Sequence, residues 1–252
     1  MAAIPLALQL YTVRQLLAED YPGTLARAKE IGYDMVQLTG TLPYDAPEMK
    51  RVLDDVGVAP AGMHVSFIYL LQDLQHWIDY CKTVGTRDLV VPYVRKRRRK
   101  TFDQWKDTVR RIDEMGAACK EQGIRLSYHN HSFEFVKFEG KYAYDYLFDD
   151  TPADHVYSEL DTYWAEFGGV DPIEYIRKLK GRLPILHIKD IGDDKERSFK
   201  EIGNGTLDWR AIHEAAKEAG VEIYCVEQDS CPGDPIDSIR QSYEFVTKHM
   251  AD

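Results

Sequence analysis

The pattern of apolar and polar positions repeats one unit along most of the chain. An amphipathic segment with helical spacing ends in a glycine, and a short apolar segment follows directly. Glycine is the residue expected just after a helix, because it enters the left-handed backbone region without a steric penalty. The glycines in this position are Gly32, Gly57, Gly85, Gly123 and Gly220. The repeat predicts helices that alternate with strands.

Eight apolar segments have the length and composition of buried strands. They begin near residues 5, 34, 59, 88, 124, 155, 184 and 221. Helical patterns between them cover residues 22–30, 46–55, 73–83, 102–122, 171–179, 209–219 and 235–248. Without any Pro/Ser-rich linker, these units in 252 residues predict one (β/α)8 TIM-barrel domain over residues 1–252. An open doubly wound sheet is the alternative, but no G-x-G-x-x-G motif follows the first strand.

Composition and charge narrow the class of protein. The chain is 44% hydrophobic and 29% charged, which is typical of a globular protein. Its net charge of −10 argues against nucleic acid or an anionic membrane as the main partner. No apolar run approaches the roughly 20 residues of a membrane span. The four cysteines show no C-x-x-C spacing and no signal peptide precedes them, so we expect a cytoplasmic protein with reduced thiols.

One segment departs from the acidic character of the chain. Residues 95–100 (RKRRRK) are six consecutive positive charges. A solvated surface loop is the simpler interpretation of such a run. The alternative is a rim that attracts an anionic ligand.

Residues of the types that bind metals stand at the C-terminal ends of four consecutive predicted strands. They are His129, His131 and Glu134 after the fifth strand, Glu159 and Asp161 on the sixth, His187 and Asp190 on the seventh, and Glu227 and Asp229 on the eighth, with the cation Lys189 between His187 and Asp190. All strands of a barrel end at the same face, so these side chains are expected to lie together. Each alone has a structural explanation, such as a helix-capping aspartate. As a set they predict a site for Mn²⁺, Mg²⁺, Co²⁺ or Zn²⁺ with positions left for substrate oxygens.

Six segments spread along the chain carry a distinctive combination of residues. They are residues 8–14 (LQLYTVR), 128–135 (YHNHSFEF), 159–164 (ELDTYW), 187–190 (HIKD), 201–205 (EIGNG) and 226–229 (VEQD). Together they resemble the xylose isomerase-like TIM-barrel superfamily, which includes the sugar phosphate isomerase/epimerase family. The superfamily contains sugar isomerases and epimerases, inosose dehydratases and endonuclease IV-type nucleases. The resemblance is specific for the fold and the site and much less so for the substrate.

The resemblance implies one divalent metal ion held by Glu, Asp, His and Glu from strands five to eight. Asp161, His187 and Glu227 match the last three of these ligands. At the first position the chain departs from the family, because the usual glutamate falls at or near His129. Either His129 replaces it or Glu134 folds back to the metal. We favour Glu134, since a third oxygen ligand preserves a site for a hard cation such as Mn²⁺.

The resemblance further implies a sugar isomerase or epimerase. Such an enzyme acts through a metal-bound enediolate on a keto- or aldo-sugar, with or without a phosphate group. Glu134 and Glu227 are the expected acid–base pair, and His131 is a candidate to shuttle a hydroxyl proton. Lys189 either polarises a substrate oxygen or forms a plain salt bridge with Glu159 or Asp161. The residues expected to face the sugar are Gln9, Tyr11, Gln37, His64, Tyr93 and Trp164.

Two other functions stay open. The first is a metal-dependent lyase or dehydratase acting on a keto-sugar, keto-glycoside or keto-inositol, similar to inosose dehydratase. The paired His129 and His131 give such an enzyme an acid for its leaving group. The second, more remote, is an endonuclease IV-like nuclease, which needs more metal ligands and a basic DNA-binding face. The expected partner is a small sugar, with no nucleic acid and no membrane, and homo-oligomerisation is left open.

Overall fold

Eight parallel strands close into a barrel in the computed structural model, which describes residues 3–39 and 42–250. The strands are β1 (Leu6–Gln9), β2 (Met35–Leu38), β3 (Ala59–His64), β4 (Asp88–Val91), β5 (Arg125–His129), β6 (Val156–Asp161), β7 (Ile185–Ile188) and β8 (Ile223–Val226). Each strand pairs with its neighbours in this order, and β8 returns to pair with β1. The prediction of a (β/α)8 barrel is therefore confirmed.

Helices surround the barrel. They are α1 (Arg14–Glu19), α2 (Tyr21–Ile31), α3 (Ala46–Val56), α4 (Phe67–Gln72), α5 (Leu74–Val84), α6 (Phe102–Glu121), α7 (Ala143–Asp149), α8 (Thr162–Phe167), α9 (Pro172–Lys178), α10 (Trp209–Ala219) and α11 (Pro235–His249). Gly57 and Gly220 end α3 and α10 with positive φ angles of 77° and 82°, as the sequence predicts. Asp45 begins α3, where its side chain accepts a hydrogen bond from the backbone N–H of Glu48.

Four short helices are missing from the sequence prediction. They are α1, α4, α7 and α8, and each has only six or seven residues. A helix of two turns is too short to show the 3.6-residue periodicity on which the prediction depends. Three of the four follow β1, β3 and β6, at the barrel face where the polar residues were predicted. The loops at this face therefore carry more structure than the sequence pattern indicates.

Alternation along the strands sorts side chains into two layers. Tyr128 in β5 points outward, where its ring meets Trp105 of α6 with centroids 6.2 Å apart. The next residue, His129, points into the barrel, where its ring lies 4.6 Å from that of His187. The lower part of the barrel interior is filled by small apolar residues such as Ala61 and Cys225. Imidazoles and carboxylates such as His129, Asp161 and His187 replace them near the C-terminal ends of the strands.

An ion pair stabilises the opposite, N-terminal end of the barrel. Arg125 at the start of β5 donates two hydrogen bonds, of 2.7 and 3.0 Å, to the carboxylate of Asp88 at the start of β4. It donates a third, of 2.6 Å, to Glu222. Asp88 is only 4% exposed, and burial raises its pKa while Arg125 opposes that rise. Removal of Arg125 would leave a buried carboxylate without its cation.

We expect Arg125→Met to lower the free energy of unfolding by roughly 3 kcal/mol, the typical effect of breaking a buried ion pair. Urea denaturation measures the change. The control is Arg110→Met on α6, where an exposed arginine pairs with Asp107 and Glu114. That variant should lose less than about 1 kcal/mol. Equal losses in the two variants would contradict a special role for the Asp88–Arg125 pair.

Candidate metal centre and pocket

Four buried side chains from consecutive strands meet at the C-terminal end of the barrel. His129 ends β5, Asp161 ends β6, His187 lies in β7 and Glu227 follows β8. Each offers one nitrogen or carboxylate oxygen that lies within 4.8 Å of those of the other three. The strand register explains the meeting, because Asp161 pairs with His187 across β6 and β7. We call these four residues the outer cluster.

The outer cluster has the chemistry of a metal site. His187 Nδ1 lies 3.0 Å from Glu227 Oε2, and His129 Nε2 lies 3.8 Å from Asp161 Oδ2. The second ring nitrogen of His129, Nδ1, is buried and has no hydrogen-bond partner among the described residues. That nitrogen lies 4.0 Å from Glu159 Oε1, beneath the cluster. The donor set itself, two imidazoles and two carboxylates with ligand atoms within 4.8 Å of one another, is what fits a divalent cation. Two nitrogens and two oxygens suit Mn²⁺, Co²⁺ or Zn²⁺ better than Mg²⁺.

Lys189 lies beside the outer cluster and has no exposed surface. Its Nζ is 2.9 Å from Asp161 Oδ2, 2.9 Å from Glu227 Oε2 and 3.2 Å from Asp229 Oδ1. Burial alone would lower the pKa of Lys189, but the three carboxylates outweigh it and raise that pKa well above its usual value. Lys189 therefore pairs with Asp161, one of the two partners that the sequence suggested, and balances part of the negative charge.

Glu134 lies outside the outer cluster, contrary to our preference for it as the first ligand. Its carboxylate accepts hydrogen bonds from the hydroxyl of Tyr128 at 2.5 Å and from the backbone N–H of His131 at 2.8 Å. Burial raises the pKa of Glu134 to about 8. Because Tyr128 points to the helix side of β5, the 3₁₀ turn Ser132–Phe135 carries Glu134 away from the barrel interior. Among the described residues, the position expected for the first ligand is filled by His129.

A second group of polar residues lies beneath the outer cluster. Glu159 is fully buried two residues before Asp161, on the same face of β6. It accepts hydrogen bonds from Gln37 Nε2 at 3.1 Å and lies 3.0 Å from His64 Nε2. The ring of His64 stacks on that of His187 with centroids 5.3 Å apart. His64, His129, Glu159 and His187 form a second set with metal-ligand spacing.

An open pocket of about 520 Å³ lies above these groups. Its lining residues are Tyr11, Thr39, His64, Val65, Ser66, Tyr69, Trp77, Pro92, Tyr93, His129, His131, Glu227 and Asp229. Several aromatic rings surround polar groups at the floor, as in many small-molecule sites. The outer cluster therefore has access to a small-molecule ligand through His129 and Glu227.

The structure places the predicted sugar-facing residues at three levels. Tyr11, His64 and Tyr93 line the pocket. Gln9 and Gln37 are fully buried beneath it and hydrogen-bond to each other. Trp164 packs against the ring of His131 with centroids 5.2 Å apart, and its buried indole N–H has no hydrogen-bond partner among the described residues.

Several contributors to the pocket and its floor, among them two aromatic residues, were missed from the sequence as site residues. Tyr69 in α4 and Trp77 in α5 line the pocket, but they lie in helices whose approach to the barrel mouth leaves no local signal. Glu159 was noted at a strand end without a role of its own. Its separation of two residues from Asp161 already indicated that both face the barrel interior.

The basic run lies at the same face of the barrel, in the loop that follows β4. Arg99 stacks on Phe133, with its guanidinium carbon 3.4 Å from the ring centroid. Arg95 and Arg97 are exposed and line a hollow that shares Ser66 and Tyr93 with the main pocket. The run therefore forms part of the rim of the pocket.

A family model described as xylose isomerase-like TIM barrel matches residues 25–249. The chain belongs to this family. The chain is 24% identical to the inosose dehydratase of Geobacillus kaustophilus (strain HTA426). The alignment covers 91% of this chain and 90% of the dehydratase. Shorter alignments with inosose dehydratases from Clostridium and Lacticaseibacillus species span 54–56% of those proteins.

Solved structures of the same fold also resemble this family member. A sugar phosphate isomerase/epimerase from Parabacteroides distasonis ATCC 8503 superposes with a TM-score of 0.85 at 24% identity, covering 100% of this chain and 96% of that one. The IolI protein, solved with a bound zinc atom, gives a TM-score of 0.72 at 17% identity over 98% of both chains. No helix within residues 3–39 and 42–250 of this chain is long and apolar enough to span a bilayer.

Asp161 belongs to the outer cluster and Glu134 does not, so substituting each of them tests the proposed ligand set. We expect the wild-type protein to bind one Mn²⁺ ion and Asp161→Asn to weaken that binding by more than about 100-fold, the upper range for changes outside the ligand shell. Glu134→Gln, which alters a buried carboxylate of the same region, should change the affinity less than about threefold. Calorimetric titration of the chelator-treated proteins measures all three. Loss of Mn²⁺ binding in Glu134→Gln would restore Glu134 as a ligand.

Proposed function

We propose that this protein is a divalent-metal-dependent enzyme that isomerises or epimerises a keto- or aldo-sugar. The observation that carries the proposal is the outer cluster, a buried set of two imidazoles and two carboxylates at the floor of an open pocket. A purely structural role would not explain why four consecutive strands each end in a side chain of a type that binds metals. In (β/α)8 enzymes this face of the barrel carries the catalytic groups.

The outer cluster fits one cation, held by His129, Asp161, His187 and Glu227. When bound, a divalent cation stabilises the negative charge that develops on substrate oxygens during removal of a neighbouring proton. Mn²⁺ is the ion that we expect first, and the zinc atom in the IolI protein supports a site for a divalent transition metal. Lys189 keeps Asp161 and Glu227 fixed from the other side.

Glu227 and His131 replace the predicted pair Glu134 and Glu227 as acid and base. Both line the pocket, whereas Glu134 is turned away from it. Glu227 is held by His187 and Lys189, and their charges keep its pKa well below the usual value despite burial. A carboxylate and an imidazole on different strands can remove a proton at one carbon and return one at the next. Aromatic residues of the rim, including Tyr11 and Trp77, pack against the apolar face of the sugar.

A lyase or dehydratase is the second candidate, and two observations favour it. The alignment with an inosose dehydratase covers 91% of this chain. Glu134 is turned away from the pocket, which leaves the imidazole of His131 to pass a proton to a leaving oxygen. Burial lowers the pKa of His131 to about 3, so a proton that it takes up is readily given away. In that reaction Glu227 takes the proton from the carbon beside the carbonyl. The bond from the next carbon to its oxygen then breaks, a carbon–carbon double bond forms, and His131 donates a proton to the departing oxygen.

A panel of ketoses, aldoses, keto-glycosides and keto-inositols tests the proposed function with Mn²⁺-loaded protein. We expect turnover of at least one member, complete loss after chelation, and recovery on addition of Mn²⁺. A stereoisomer or aldose–ketose isomer as product supports the isomerase, and a conjugated ketone seen by ultraviolet absorbance supports the lyase. Turnover that is unchanged in metal-free protein would contradict both.

The role of His131 has its own test. His131→Asn should lower kcat by about 10²- to 10⁴-fold, the usual contribution of a general acid or base. It should leave the Mn²⁺ affinity within about threefold, because His131 is outside the outer cluster. Equal loss of turnover and of Mn²⁺ binding would show that the residue acts on the metal site instead.

The basic rim favours a substrate with a negative charge. Reversal of two exposed cations, in the double variant Arg95→Glu/Arg97→Glu, should lower kcat/KM for a phosphorylated sugar by about tenfold at low salt and less at high salt. Arg210→Glu on α10 is the matched control, because Arg210 is 91% exposed and lies on an outer helix. An equal kcat/KM in the double variant and the control would leave the run as a solvated loop.

A further inference from the structure

The proposed mechanism leaves Glu159 without a task, although its carboxylate has no exposed surface. It lies two residues before Asp161, directly beneath the outer cluster. A buried carboxylate is unfavourable unless it is fully paired, so its partners indicate what it does. They are Gln37 Nε2, His64 Nε2 and His187 Nε2. The last of these belongs to a proposed metal ligand.

A chain of hydrogen bonds fixes the orientation of the two amides next to Glu159. The backbone N–H of Tyr11 donates to Gln9 Oε1 at 3.1 Å, so the amide nitrogen of Gln9 points the other way. That nitrogen donates to Gln37 Oε1. Gln37 Nε2 then donates to Glu159 Oε2 at 3.1 Å. Because a backbone N–H can only donate, the direction of the whole chain is set from Tyr11.

This chain determines which nitrogen of His187 carries a proton. His187 Nε2 lies 2.7 Å from Gln37 Oε1 and is also in contact with Glu159 Oε1. Both neighbours accept hydrogen bonds and neither offers a hydrogen there, so Nε2 must be the donor. The other nitrogen, Nδ1, faces Glu227 Oε2 at 3.0 Å. A carboxylate oxygen also accepts, so Nδ1 donates to Glu227 when no cation is bound. A cation in the outer cluster would replace that proton, since Glu227 is itself one of the cluster's side chains, and Nε2 would then be the nitrogen that keeps its proton.

The same geometry argues against a second cation among His64, His129, Glu159 and His187. A cation there would need the lone pair of His187 Nε2, and that nitrogen already donates to two acceptors. The 3.0 Å between His64 Nε2 and Glu159 Oε1 is an ordinary hydrogen-bond distance. The residues beneath the outer cluster are thus joined by hydrogen bonds, and they orient the proposed ligands above them.

We propose that Glu159 is a positioning residue. It holds His187 with its Nε2–H directed at Glu159, so that Nδ1 is presented to the metal. The inference rests on the proposed metal-dependent function. A carboxylate that accepts the second N–H of a metal-bound histidine fixes its tautomer and makes it a stronger ligand. Gln37 acts in the same way through its oxygen, and Gln9 holds Gln37 in the required orientation.

Calorimetric titration with Mn²⁺ tests the proposal on the full chain. Glu159→Leu should raise the Kd by about 10- to 100-fold, and Glu159→Gln, which keeps an acceptor oxygen, should lose less. The matched control is Asp88→Asn, which changes a buried carboxylate at the opposite end of the barrel and should leave the Kd unchanged. Mn²⁺ binding by Glu159→Leu within about threefold of wild type would overturn the proposal.

Ring nitrogen NMR of the wild-type protein gives a second readout that does not depend on how the variants fold. With histidines labelled by ¹⁵N and Zn²⁺ added, we expect His187 to keep its proton on Nε2 and to bind the metal through Nδ1. Binding through Nε2 would overturn the proposal. Absence of both Mn²⁺ and Zn²⁺ binding in the wild type would overturn the proposed metal site instead. The metal-free spectrum would then still test whether Nε2 of His187 carries a proton.

Discussion

The burial of Lys189 among carboxylates is the interaction on which the C-terminal end of the barrel depends. Its Nζ lies within 3.2 Å of oxygens from Asp161 of β6 and from Glu227 and Asp229 after β8, the strands on either side of β7. Without a cation these acidic groups would repel one another in an interior that screens charge poorly. The ammonium group favours the ionised form of Asp161 and Glu227, two of the proposed metal ligands, against the burial that raises the pKa of Asp161 to about 6. The outer cluster is therefore assembled in the fold itself, as a preformed site for the proposed metal ion.

Stability and chemistry are separated along the barrel axis. At the N-terminal end, Arg125 pairs with Asp88 and small apolar residues such as Ala61 fill the interior. At the C-terminal end the same interior positions carry imidazoles and carboxylates. Successive side chains of a strand point to opposite faces of the sheet. The outward ones pack against the helices and form the core there, whether the inward ones are polar or apolar. The polar end can therefore be arranged for function while the outward layer holds the fold.

The sequence was sufficient for the barrel and for the meeting of most of the ligand-type residues at its C-terminal end, because both follow from periodicity. Residues on or next to strands, such as Asp161 and His187, obey the two-residue alternation, so their inward direction could be inferred. Glu134 lies five residues beyond β5 in a 3₁₀ turn, where alternation no longer applies, and its placement was predicted wrongly. The contact between Gln9 and Gln37 joins two strands, and its direction depends on the backbone of Tyr11. Predicting such contacts requires the register of neighbouring strands, which cannot be deduced from one segment of sequence.

The hydrogen-bonded residues beneath the pocket, which form its floor, and the loops around its rim are under different structural constraints. This difference affects which of the two determines substrate specificity. Every residue from Gln9 through Gln37 and Glu159 to His187 is tied to the next by a directed hydrogen bond, so a change in any of them disturbs the ligand geometry above. The aromatic rim and residues 95–100 lie beyond the strand ends, where substitutions alter shape and charge without moving the floor. Two relatives that share the floor can therefore act on different sugars. It follows that the basic rim is a better guide to the substrate than the proposed metal site.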